Sequence, residues 1–270
     1  MKTAYLQPPY PDEKFIYPHD VLELILREAN QVADDTDLLV LPEYANCPGI
    51  NDYEELRNFI RSKSTFFLEE LAALARRKKL YIAVNITREA GGGLHNVTVL
   101  LDRSGNVIAE YQKIHLTEFE RDVLKMIPGN ILQFAEIDGA RVTFATCFDV
   151  YFAEYFEALA RQNPDLIILP SYQRSEKHHV ILTQTAARAM DAGAFIIRSS
   201  YSMGANSKSG GMSMVVHPNG EILSNAGQNT GVFYTEIDPH EKWLRPKSFG
   251  QPAVPARVII EENRRSEIYR

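Results

Sequence analysis

The chain has 270 residues, 45% hydrophobic and 24% charged, a composition that suits one folded unit with a large core. Its formal net charge of -6, with Lys and Arg interspersed among acids, excludes the basic stripe of a nucleic-acid or anionic-membrane binder and leaves a small molecule as the expected partner. No stretch approaches the ~18 apolar residues of a membrane span, and two cysteines make no disulfide framework, so a soluble chain in a reducing, cytoplasmic compartment is expected.

In chain order, β-rich runs alternate with helical stretches, which predicts an α/β chain. The run DLLVLPE (37–43) is apolar between an opening Asp and a closing Leu-Pro, as in a buried strand whose end a rigid proline sets. A helix follows over 64–78, opened by Ser and Thr and closed by cations, then a strand over 80–87. The loop DRSGN (102–106) joins VTVLL to VIAEY in a hairpin. Residues 141–146 read as a strand and 155–162 as a helix. The run DLIILPS (165–171) then repeats the earlier pattern, with a helix over 177–191, a strand over 194–200 and a hairpin at HPNG (217–220).

This repetition predicts an internal pseudo-duplication. Each sheet carries helices on one face, and the free faces pack together in a four-layer α-β-β-α sandwich. Residues 1–245 form that body. Residues 246–270, with prolines, Gly250 and many charges, read as an extended arm, either a loose terminus or an oligomer contact.

The chemistry-bearing candidates lie at strand ends. Cys147 stands at a strand-to-helix turn, where backbone N–H groups can face a substrate oxygen, although a Cys after a strand is equally a small buried hydrophobe. Glu43 closes the first Leu-Pro strand, and Lys113 follows the second hairpin strand in EYQKIHL. None is diagnostic alone. Leu-Pro-Glu43, Tyr-Gln-Lys113 and Thr-Cys147-Phe-Asp together resemble the Glu-Lys-Cys motifs of the nitrilase superfamily of carbon-nitrogen hydrolases, over about residues 3–246.

The resemblance implies a cysteine nucleophile at Cys147, a general base at Glu43, an oxyanion partner at Lys113 and no metal or organic cofactor. It also implies a second glutamate that orients the lysine: Glu120 is preferred, with Glu118 competing. A free thiol near ~8.5 and a carboxylate near ~4.3 leave proton transfer uphill by about 6 kcal/mol. A buried Glu43 and an ammonium lowering the thiol are expected to close that gap. The backbone N–H of Phe148 would join Lys113 at the oxyanion. Tyr44, Asn46, Tyr172, Gln173 and Arg174, in the loops after the Leu-Pro strands, are candidate substrate contacts, and Arg174 suits a carboxylate.

Asp149, two residues after the cysteine, matches the amidase form of the motif more than the nitrilase form. Carbamoyl-amino-acid hydrolases of the family carry an Arg four residues after the cysteine, where this chain has Tyr151. The expectation is therefore a hydrolase of a small amide, with a nitrilase or a non-catalytic binding protein as alternatives. Family members assemble, so a homodimer or larger homo-oligomer is expected. Cys47 reads as a loop thiol, His115 as a packing or hydrogen-bonding residue, and His178 and His179 as surface residues rather than metal or peptidase groups. Gly91–Gly93 reads as a connection before a hairpin strand.

Overall fold

The computed structural model describes residues 1–11 and 17–268. The first sheet contains β1 (Lys2–Gln7), β2 (Leu38–Val40), β3 (Tyr81–Ala90), β4 (Gly93–Leu101) and β5 (Val107–Gln112). The second contains β6 (Phe134–Ile137), β7 (Ala140–Phe144), β8 (Leu166–Pro170), β9 (Phe195–Ser199), β10 (Met214–Val216) and β11 (Ile222–Asn225). The next strand, β12 (Gly231–Glu236), returns to pair antiparallel with β1. The resulting orders are β12-β1-β2-β3-β4-β5 and β6-β7-β8-β9-β10-β11, each with a parallel centre and antiparallel flanks.

The two Leu-Pro strands, β2 and β8, occupy the same place in these orders, and the bonds of their opening aspartates repeat. Asp37 accepts the Lys2 N–H at 2.8 Å and Asp165 the Arg141 N–H at 2.8 Å. Their backbones also match: the N–H of Asp37 donates to Lys2 O and that of Asp165 to Arg141 O. The duplication visible in the sequence is thus a duplication of hydrogen bonding at the start of each parallel core.

Both faces of β2 are buried because each meets a different layer. Leu39 and Leu41 pack with Val21, Leu22, Phe67 and Leu71 of helices α1 (Pro18–Asn30) and α2 (Tyr53–Lys78). Leu38 and Val40 belong instead to the core that includes Val142, Phe144 and Ile168 of the other sheet. Helices α3 (Ala153–Ala160) and α4 (His178–Ala192) contribute Phe156, Leu159, Ile181 and Ala189 to that core. This is the expected four-layer sandwich, with Ser199 Oγ donating to Leu6 O at 2.6 Å across its middle.

Several boundaries differ from expectation. The helix anticipated over 64–78 begins at Tyr53, where Asp52 Oδ1 caps Glu55 N at 2.9 Å. Ser64 and Thr65, which suggested a later start, lie inside it, and Ser64 Oγ accepts from Asn46 Nδ2 rather than capping a helix end. Helix α1 and strands β1, β6 and β12 were not anticipated. In α1 the buried Val21, Leu22, Ile25 and Ala29 form one stripe at helical spacing. Gly91 and Gly92, with φ of 57° and 84°, form the two-residue turn between β3 and β4, the left-handed pair that such a hairpin favours.

The C-terminal stretch is not simply an extended arm. Its hairpin, β13 (Leu244–Pro246) with β14 (Ala253–Pro255), starts before the expected boundary at 245/246, and helix α5 (Ala256–Glu262) follows. That helix is tied to the body: Arg257 donates to Glu157 on α3 and to Asp191 O at 2.9 Å. Among the described residues no helix is long and apolar enough to cross a membrane.

Candidate active site

The site residues lie beyond the ends of strands that the duplication brings to one edge. Glu43 follows β2, Lys113 follows β5, Cys147 follows β7 and Tyr172 follows β8. The crevice outside the carboxyl ends of parallel strands is the usual binding place in such sheets. Here it holds a cavity of about 290 Å³, lined by Glu43, Tyr44, Lys113, Glu120, Cys147, Phe148, Tyr151, Tyr172, Gln173 and Arg174, with Ile50, Leu124 and Phe119 adding apolar wall.

Lys113 Nζ donates to Glu43 Oε1 at 2.8 Å and to both Glu120 oxygens, at 2.8 and 2.9 Å. Asn96 Nδ2 reaches Glu43 Oε1 at 2.8 Å and Glu120 Oε1 at 3.0 Å. Tyr44 OH and the Thr117 N–H and hydroxyl complete the cradle of Glu120. Glu120 is buried while Glu118 is exposed, so only Glu120 joins the lysine. Glu43 Oε2 is buried and has no hydrogen-bond partner, the state of a carboxylate oxygen kept for another group.

Burial and the charge of Glu120 raise Glu43, against the pull of Lys113. For Lys113, burial acts to lower the ammonium, but the Glu43 and Glu120 charges outweigh it and hold the group well above its usual range. Burial would raise Glu120 too. The Lys113 charge and the hydrogen bonds of Lys113, Tyr44 and Thr117 overcome that and bring it down to about 2.

One electrostatic expectation fails. The thiol of Cys147 is not lowered; burial and the Glu43 charge push it well up, against a smaller downward pull from Lys113 and the Tyr172 N–H. The reason is burial first, with the nearby Glu43 charge outweighing the pull of Lys113. Burial thus favours the protonated form of Cys147.

The turn that carries Cys147 is strained and braced. Cys147 has φ 45°, a left-handed conformation that costs a non-glycine residue about 1–3 kcal/mol and gathers at functional sites. Fully buried Asp149 holds the turn: its Oδ2 accepts Thr146 N and Tyr111 OH, both at 2.7 Å, and its Oδ1 accepts His115 N at 3.1 Å, with His115 Nδ1 2.7 Å away. His115 also stacks on Phe152, with ring centroids 3.8 Å apart. Tyr44, also at positive φ (57°), is held by Asn85 Oδ1, which accepts its N–H at 2.9 Å.

The other candidates separate cleanly. Phe148, Tyr44, Tyr172, Gln173 and Arg174 line the cavity, but Asn46 does not. Asn46 instead brackets Thr87, donating to its carbonyl and accepting its N–H. Arg174 Nη1 donates to Tyr10 OH at 2.7 Å, so it enters the wall already engaged. Tyr151 lines the cavity and donates its hydroxyl to Glu176. Cys47 lines it as well, with burial pushing its thiol up to about 12. His178 and His179 are not among the lining residues.

Sequence reasoning missed the polar floor. Asn85 and Asn96, on β3 and β4, are fully buried and linked at 2.6 Å, and Asn85 reaches Thr98 at 3.1 Å. Their signal was polar residues at inward positions of otherwise apolar strands. It missed Arg198 too, fully buried on β9.

A doubly layered sheet pair with a buried carboxylate, ammonium and thiol at one strand edge defines a cysteine-type hydrolase site. The family model of carbon-nitrogen hydrolases matches residues 2–242, and the chain belongs to that family; it is a carbon-nitrogen hydrolase. The omega-amidase NIT2 of Homo sapiens is 27% identical over 227 residues, 79% of this chain and 80% of that protein. The deaminated glutathione amidase of Escherichia coli O157:H7 is 26% identical over 217 residues, 78% of this chain and 81% of that protein. An amidase of Nesterenkonia sp. AN1, in a structure showing Michael addition of acrylamide at its active-site cysteine, superposes with a TM-score of 0.79 at 20% identity, covering 99% of this chain and 98% of that one.

Proposed function

We propose that the protein hydrolyses the carbon-nitrogen bond of a small amide through a thioester on Cys147. The carrying observation is that Lys113 bonds Glu43 and Glu120 at 2.8 Å within the cavity that also holds Cys147. Glu43 takes the S–H proton as sulfur attacks the amide carbonyl. The resulting oxyanion lies between the Lys113 ammonium and the Phe148 N–H, where a preorganised charge in a dry site has most effect. The tetrahedral intermediate expels ammonia or an amine, which leaves with the proton from Glu43. Water then attacks the thioester with Glu43 as base, releasing the acid and returning the proton to sulfur. Glu120 positions Lys113, and Tyr44, Phe148, Tyr172 and Arg174 shape the substrate space. No step requires a metal or organic cofactor.

The cavity of about 290 Å³ is at the lower end of small-molecule sites, which supports a short substrate. The amidase activities named for NIT2 and the deaminated glutathione enzyme support amides over nitriles. The test is ammonia release from a panel of short amides and the matching nitriles, with Cys147→Ala alongside. Turnover of amides, lost in Cys147→Ala, is expected. Acid and ammonia from nitriles alone would reverse the substrate assignment, and full activity of Cys147→Ala would remove the nucleophile.

Residues 1–245 are the catalytic body in this reading, and 246–270 an appendage with an assembly role. Phe249, fully exposed at the hairpin tip, and Leu244, 58% exposed, are apolar surface of the kind a second copy would cover. Sedimentation is expected to give a homodimer or larger homo-oligomer, and a monomer at all concentrations would reject it. Two free, buried cysteines support a reducing, cytoplasmic setting, which fractionation of the native cells would check: recovery in an oxidising compartment would sink it.

A further inference from the structure

Arg198 is the largest fully buried side chain of the described residues. A buried cation is costly unless it is well paired, yet its hydrogen bonds go to uncharged oxygens. Nη1 donates to Gly211 O at 2.6 Å and Met212 O at 2.8 Å, and Nη2 to the side-chain Oε1 of Gln173 at 3.2 Å. Burial pushes the guanidinium down to about 10, opposed by the negative forms of Cys147 and Glu43, which marks both as its electrostatic neighbours.

The acceptors belong to two loops. Gly210, Gly211 and Met212 have φ of 64°, 60° and 57°, a left-handed run that brings two successive carbonyls onto one guanidinium. At Met212 this conformation is strained, and such strain persists only where surrounding bonds enforce it. The other loop, after β8, carries Tyr172, Gln173 and Arg174 into the cavity wall. The loops pack closely: Gly210 N donates to Glu176 O at 2.9 Å, and a Cβ on Gly210 would stand 3.2 Å from Arg174 O. Tyr172, one residue before Gln173, lines the cavity together with Cys147, and its peptide group acts to lower the thiol.

We propose that Arg198 is a positioning residue for the hydrolytic step: through Gln173 it clamps the cavity wall to the 210–212 loop, so that the Tyr172 peptide is kept beside Cys147. This rests on the reading of Cys147 as nucleophile. The charged groups facing that sulfur are Glu43 after β2, Lys113 after β5, Glu120 in the following turn and Arg198 on β9. Releasing the clamp at Gln173 frees the Tyr172 peptide from the sulfur and leaves those groups in place, whereas Arg198→Met removes one of the cations as well. Thiolate formation then becomes harder.

The experiment compares Arg198→Met, Gln173→Leu and the double variant with the parent. The readouts are kcat and KM on a short amide, and the pH profile of modification of Cys147 by methyl methanethiosulfonate. In that reaction the thiolate attacks the sulfenyl sulfur, a mixed disulfide forms and methanesulfinate leaves. Each single variant is expected to move the modification profile to higher pH and to lower kcat about tenfold or more, as for supporting residues around a reactive centre, with KM changed less. The double variant is expected to be no worse than the worse single, because the two residues act as one unit. An unmoved modification profile in Gln173→Leu, or losses in the double variant equal to the product of the singles, overturns the clamp. If Arg198→Met fails to fold, Gln173→Leu alone decides between these outcomes. Modification reads the sulfur whatever the substrate, so a failed clamp is separable from a failed assignment of Cys147, which Cys147→Ala turnover reports.

Discussion

Replacing Glu120 by Gln keeps the side chain's shape and removes its charge, which isolates what that charge does. Its carboxyl lies at about 2 instead of 4.5, a difference worth about 3 kcal/mol at 1.36 kcal/mol per unit. A depressed carboxylate contributes stability that is complete above its unfolded pKa and is lost as pH falls through the folded one. At neutral pH the contribution is therefore present, and Glu120→Gln is expected to cost up to about 3 kcal/mol, or roughly 6–10 °C in Tm for a chain of this size. The effect on Glu43 has the opposite sense. The Oε1 atoms of Glu43 and Glu120 each lie 2.8 Å from Lys113 Nζ, so they are at most twice that distance apart. At an effective dielectric of about 20, their repulsion is about 3 kcal/mol. Removing it makes Glu43 easier to ionise. The acid limb of the kcat/KM profile, which lies above the usual carboxylate range because burial and Glu120 raise Glu43, is expected to move to lower pH. Meanwhile kcat falls about a hundredfold, because Lys113 loses one of its three acceptors to an amide NH2 that repels it, and drifts from the oxyanion position. A pH-rate series with urea titrations measures all three effects. An acid limb that stays put or moves upward refutes the proposed ordering of charges.

Tyr111→Phe removes one of the donors that hold Asp149 under the Cys147 turn; a loss of about 1–3 kcal/mol in urea unfolding is expected for an unfilled bond to a buried carboxylate, with a lower kcat. An unchanged midpoint and rate would free the turn from that brace. The duplicated helix ends offer a paired test. The cap after α2 is Lys79 at φ 57° and the cap after α4 is Gly193 at φ 62°. Lys79→Gly is expected to stabilise by about 0.5–1 kcal/mol, since only the glycine is at ease there. Gly193→Lys should destabilise by more than that amount, because its Cβ would stand 2.5 Å from Arg257 Cγ. Calorimetry showing equal and opposite shifts would remove the role given to Arg257.

Much of the site was legible because its chemistry is carried by residue types at element ends. Glu43, Lys113 and Cys147 each follow a strand whose apolar run or hairpin is plain in the sequence, and Glu120 lies in the adjacent turn. Asp149 was read as a mark of substrate class, whereas its bonds make it the brace of the cysteine turn; the three donors come from residues up to 38 positions away. Asn46 was placed in the cavity by its position in a loop, but its amide found the backbone of Thr87.

The linear order of residues determined the α/β class, the duplicated Leu-Pro strands and the hairpins, since these follow from period, turn chemistry and local spacing; the candidate reacting groups came from the family resemblance that their motifs carry. Folding decided the sign of the thiol shift, the partner of Lys113, the buried guanidinium of Arg198 and the helical C-terminal segment. Those depend on charges and carbonyls that approach one another only after distant segments pack, and the energy of such a meeting varies with separation and burial rather than with position along the chain.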